Sequence, residues 1–190
     1  MSETTTARTV TDILQPRNVL VAGMVGIGLA AAGDWTGILW GLLGAFCAGL
    51  IPAGYIEWER ARGTWGDRHV VDRKKRAPIF FVILGSIGCG SLVMVLGGAP
   101  AGILVAMLAL WAMTVVLLTV NTVWKISVDS AVASAVPALL AVVHSPWWLL
   151  AYLLTIAVCW SRVALTYHTV AQTVAGASLG AATAAAFLAV

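Results

Sequence analysis

Apolar positions in this chain gather into long uninterrupted runs at 18–33, 35–56, 78–98, 101–124, 127–144, 147–161 and 168–190. Polar or helix-breaking stretches separate them: Gly33-Asp34, the charged segment 57–77, Gly97-Gly98-Ala99-Pro100, the turn at 125–126, His144-Ser145-Pro146 and 162–167. Glycine and proline punctuate chains in this way, and a helix needs about 20 apolar residues to cross a bilayer. The first run is short by that measure. The pattern predicts an all-α fold, a polytopic transmembrane bundle of six to seven membrane helices. Residues 1–17 read as a polar N-terminal tail and 18–190 as a single transmembrane domain, with no room for a second.

Composition sharpens this. The chain is 61% hydrophobic and 10% charged, against about 25% charged in soluble domains, so an integral membrane protein is expected. Seven crossings place the tail, loop 57–77, the turn at 125–126 and loop 162–167 on one side. All 11 Lys and Arg lie in those places, and Asp34 is the lone formal charge opposite. By the positive-inside rule the cationic side faces the cytoplasm, with the cell membrane as the expected location. Nucleic acid is not an expected partner; an anionic lipid is. Cys47, Cys89 and Cys159 sit inside apolar runs at spacings that match no metal or disulfide framework, so they read as small core residues. Trp35, Trp147 and Trp148 read as interfacial anchors, and Trp40 and Trp111 as lipid-facing or core. Gly176-Ala177-Ser178-Leu179-Gly180 is a small-xxx-small pattern, read as packing within the chain, with the oligomeric state left open.

Three clusters on the cationic side carry candidate chemistry. The first is Asp67-Arg68-His69-Val70-Val71-Asp72-Arg73-Lys74-Lys75-Arg76; a basic loop beside a membrane helix also suits anionic lipid contact. The second is Trp124-Lys125-Ile126-Ser127-Val128-Asp129. Amides at a helix start bind phosphate oxygens, and Ser127 and Asp129 are equally good helix caps. The third is Ser161-Arg162, five residues, then His168, with Gln172 one turn further on the same face. Ionisable groups at an apolar helix are costly and mark functional sites.

The third cluster resembles the third signature of the type 2 phosphatidic acid phosphatase family, membrane lipid-phosphate phosphatases. The second resembles a prokaryotic branch of that family reading Trp-Lys-Ile-Ser-Val-His, with Asp129 at the histidine position. The first fits the frame of the family's Lys, six residues, Arg-Pro signature only as His69 and Arg76-Ala77. The resemblance implies that His168 is the nucleophile and that Arg73, Arg76, Lys125, Ser127 and Arg162 bind phosphate. His69, Asp72, Ser161 and Gln172 are then supporting residues, and no metal or cofactor takes part. Arginine's planar fork suits phosphate oxygens. The family has Asp where Gln172 stands; a glutamine accepts a hydrogen bond from one ring nitrogen but supplies no charge. Asp129 falls where the family's proton donor lies. An aspartate among cations is ionised and a poor acid, tolerable when the leaving group is itself a phosphate.

These residues predict a phosphatase acting on a lipid, preferably isoprenoid, phosphate or diphosphate through a phosphohistidine. One rival is the same scaffold redirected to ionise a prenyl diphosphate as a terpene cyclase or prenyltransferase. Asp129 would then serve as base or Mg2+ ligand, and Trp40, Trp111 and Trp124 would steady a carbocation. The other is a non-catalytic lipid-binding relative.

Overall fold

The computed structural model of the chain describes residues 3–63 and 77–186. These form helices connected by short turns. Helix α1 (Glu3–Ile13) leads through a bend of 43° into α2 (Pro16–Ala32). α3 (Thr36–Ala45) continues through a π-helical turn (Phe46–Leu50) into α4 (Ile51–Ala61). α5 (Ala77–Leu96), α6 (Ala101–Val123) and α7 (Val128–Val143) follow. A 3-10 segment (Pro146–Ala151) opens α8 (Tyr152–Ala164), and α9 (Val170–Ala186) ends the described chain. As far as the described residues extend, each of the seven apolar runs is mainly helical, and no strand occurs among those residues.

The lengths are those of a membrane protein. Thr36–Ala61, Ala77–Leu96, Ala101–Val123 and Pro146–Ala164 are each long and apolar enough to cross a bilayer, and the bent pair α1–α2 makes a fifth candidate. Exposed side chains on these helices include Leu92, Leu96, Leu153 and Ile156, the surface a helix shows to lipid. Most of the N-terminal tail is itself a helix, α1, with Ala7 and Thr11 buried and threonines, Arg8, Asp12 and the terminal Ile13 exposed.

α7 is the axis of the bundle. Every residue from 130 to 140 is buried, as befits a helix that is small and apolar on all sides. α9 lies against it so closely that a Cβ at Gly176 would collide with the Ser127 carbonyl, and one at Gly180 with the Ala131 carbonyl. The small-residue stripe is therefore used inside the chain, where it lets two backbones meet.

Two prolines sit within helices and leave carbonyls without donors, a debt that cannot be settled by water inside a bilayer. Pro137 has no N–H for Ala133, and the Thr155 hydroxyl of α8 donates to that carbonyl at 2.7 Å. In the π turn, Ile51 N–H reaches back to Phe46. The next bond in that register would run from Pro52 to Cys47, and the Ser86 hydroxyl of α5 donates to the Cys47 carbonyl instead, at 2.7 Å. Each proline thus ties its helix to a neighbour.

Of the cysteines, Cys47 is buried as expected, but Cys89 is exposed; its position on α5 turns it outward, away from the face that carries Ile87 and Gly90. Trp111 is exposed and donates to the Leu84 carbonyl, whereas Trp40 packs on the core. Trp35 and Trp147 are well exposed at their turns.

Candidate active site

The five residues between Arg162 and His168 have a structural reason. α8 ends at Ala164 with Leu165 as its C-cap, and Thr166 takes a left-handed conformation with φ 57°. Thr166 N–H bonds the Val163 carbonyl, and Tyr167 N–H bonds the Arg162 carbonyl. This pair of bonds is a Schellman termination. A β-branched residue is unusual at its left-handed position and costs about 1–2 kcal/mol there. His168 N–H also reaches the Arg162 carbonyl, at 3.3 Å. The residue that supplies the guanidinium therefore holds the histidine backbone as well.

α9 then starts with a reciprocal cap. Gln172 N–H donates to the Thr169 hydroxyl, and Thr169 N–H donates to Gln172 Oε1. This is a Thr-x-x-Gln capping box. The same Oε1 lies 3.1 Å from His168 Nδ1. Since an amide N–H only donates, the atom facing it is oxygen, so Nδ1 must carry the proton. In the neutral imidazole the lone pair is then on Nε2.

The second cluster is sewn to this turn. Ser127 N–H donates to the Gln172 carbonyl at 3.2 Å, and Lys125 Nζ donates to the Tyr167 carbonyl at 2.9 Å. Ser127 is the fully buried N-cap of α7, its hydroxyl accepting from Ser130 N–H. Asp129, in the first turn, reaches Arg162: Oδ1 and Nη2 are 3.2 Å apart. The Arg162 side chain is 1% exposed. Its ion pair is not aligned as a hydrogen bond, and neither Nε nor Nη2 has a hydrogen-bond partner among the described residues. Buried guanidinium donors left this way are rare and favour an incoming anion. Ser161 is buried too, donating to the Val158 carbonyl and accepting from Thr11 of α1.

Lys125, Asp129, Arg162 and His168 line one end of a cavity of about 220 Å³. Its remaining wall is mainly apolar, with Leu20, Ile83, Ile87, Leu110, Met113 and Val132 among its residues. Thr114 also faces it, but its hydroxyl is satisfied by the Leu110 carbonyl.

The structure therefore brings together His168, Asp129, Arg162, Lys125 and, behind the ring, Gln172. Ser127 and Ser161 are not on the cavity wall; they hold the elements that form it. His69, Asp72, Arg73 and Arg76 lie outside the described residues. None of Trp40, Trp111 or Trp124 lines the cavity; its aromatic residues are Phe80 and Tyr167. No group of three His, Cys, Asp or Glu able to hold a metal occurs among the described residues. Sequence reasoning gave Arg17 only a topological role, yet it too lines the cavity, beside Gln15 and Pro16. Its signal was a cation at the first turn of an apolar helix.

Against family models, curated proteins and solved structures, no match is found for this chain.

Proposed function

We propose that this membrane protein is a lipid phosphate or diphosphate phosphatase that works through a phosphohistidine on His168. One observation carries the reading: an imidazole with Nδ1 pinned by Gln172 stands beside a buried, under-bonded guanidinium at the charged end of an apolar cavity. An anionic head at that end and a hydrocarbon chain in the remainder satisfy both halves of the site.

In this mechanism the lone pair of His168 Nε2 attacks phosphorus. Arg162 and Lys125 balance charge on the phosphate oxygens, and such preorganised electrostatics is the main lever in phosphoryl transfer. Water then releases phosphate. Asp129 is the counter-charge of Arg162 and orients it, so the leaving group must depart without a strong acid beside it. That favours a diphosphate, whose leaving group is a phosphate, over an alkyl monophosphate. The reacting face is assigned to the cytoplasmic side of the cell membrane, because Arg17, Lys125 and Arg162 all border the same cavity.

The test is phosphate release from lipid phosphates and diphosphates by the full chain in detergent, against His168→Ala. The variant should be slower by about a thousandfold or more, and acid-labile labelled phosphate should be trapped on the unchanged protein alone. Equal background rates in both proteins would end the proposal. Cyclic hydrocarbon formed from farnesyl diphosphate would move the assignment to prenyl-diphosphate ionisation.

A further inference from the structure

We propose that Arg17 and the first turn of α2 form a second phosphate subsite, so that the cavity holds both phosphates of a lipid diphosphate; this rests on the phosphatase reading above. Three observations meet here. First, Arg17 is half-buried, lines the cavity, and makes no ion pair or side-chain hydrogen bond among the described residues. Second, Gln15, Pro16 and Arg17 together present the start of a 17-residue helix to the cavity, and Gln15 makes no side-chain capping bond. Pro16 has no N–H and the Asn18 and Val19 amides bond the Gln15 carbonyl, so what this helix start offers an anion is its dipole and the Arg17 amide. Third, Arg162, on the α8 side of the same cavity, is 1% exposed with Nε and Nη2 unbonded. The two arginines reach the cavity from different helices, α2 and α8, so each is placed to hold a phosphate of its own. Of the acidic residues in the lining, Glu57 pairs with Arg60 at 3.5 Å on its own helix and Asp129 with Arg162 at 3.2 Å.

The arrangement assigns the terminal phosphate to His168, Arg162 and Lys125 and the inner phosphate to Arg17. His168 Nε2 attacks the terminal phosphorus as its bond to the bridging oxygen breaks. The electron pair leaves on that oxygen, which departs with the lipid monophosphate against Arg17. Water then adds to the phosphohistidine and the P–N bond breaks. The pair returns to Nε2, and inorganic phosphate is released with the excess proton passing to solvent. No proton donor is needed for the first departure, in keeping with a carboxylate at Asp129.

Binding of inorganic diphosphate and inorganic phosphate to the full chain in detergent, measured by calorimetry, tests the subsite without catalysis. Diphosphate should bind more tightly. Arg17→Gln should weaken it by about tenfold or more, the size of one charge-assisted contact, and weaken phosphate much less. Arg17→Lys should recover part of the loss and guards against misfolding of the glutamine variant. Turnover of farnesyl diphosphate relative to farnesyl monophosphate should shift by a similar ratio. Equal weakening of both anions, or no change, overturns the subsite. If instead neither substrate releases more phosphate with the unchanged protein than with His168→Ala, the phosphatase reading falls, while the calorimetry still decides whether Arg17 holds a second phosphate.

Discussion

The two walls of the cavity are built differently. The wall of α7, α8 and α9 is fastened by backbone contact at Gly176 and Gly180 and by hydrogen bonds between elements: Thr155 to Ala133, Ser134 to Ala177, Ser127 to Gln172 and Lys125 to Tyr167. In the wall of α2, the π turn, α4 and α5, Gly28, Gly37 and Gly41 bring the backbones of α2 and α3 equally close, but this wall meets the cavity mostly with aliphatic side chains, and its hydrogen bond between elements is Ser86 to Cys47. In the proposed mechanism, the groups that must sit within a few tenths of an ångström to act on phosphorus are on the fastened wall. Apart from Arg17, the groups on the other would need only to exclude water from a hydrocarbon chain. Non-directional burial tolerates small displacements that hydrogen-bond geometry does not.

The sharpest way to break this contrast is at Gly180. Gly180→Leu drives a side chain into the α7 backbone and should destabilise by about 3 kcal/mol or more, read as lost folded protein by size exclusion in detergent. A similar yield to the unchanged protein would show that the fastened wall can yield. Next come the two proline carbonyls. Thr155→Val leaves the buried Ala133 carbonyl unpaired and should cost about 1–2 kcal/mol. Ser86→Ala, at a partly buried site, should cost less; melting of the two variants side by side checks the order, and a reversal would make α5 the firmer support. The smallest effect is expected at Asp34, far from either wall. The Thr36 hydroxyl, and then its amide, donate to that carboxylate and hold its pKa below the usual aspartate value. Because the folded pKa is the lower one, its stabilisation is present above the unfolded value of about 3.9. It is lost as pH falls through the folded value. Asp34→Asn should therefore melt slightly below the unchanged protein at neutral pH and together with it in strong acid.

Much of this was legible in the sequence. The apolar runs and their Gly and Pro breaks gave the helices to within a few residues, since burial in lipid imposes long uniform segments. The spacing of Arg162, His168 and Gln172 was visible because a helix ending and a helix start fix it locally. What was not legible depends on contacts between distant segments. Ser127 reads equally well as a phosphate ligand or a cap until α9 is seen lying on its carbonyl. Arg17 looks like a topology signal until α2 is seen to begin at the cavity. The exposure of Cys89 depends on which face of α5 meets its neighbours, and the uniformly apolar sequence of that helix carries no such mark.

Gln172 Oε1 receives both the amide that begins α9 and the ring proton of His168. Fraying of that first turn would therefore also release the imidazole to rotate and exchange tautomers. If His168 carries the proposed reaction, warming should silence the protein before it melts, with the rate turning down at a temperature where the helical signal is still intact.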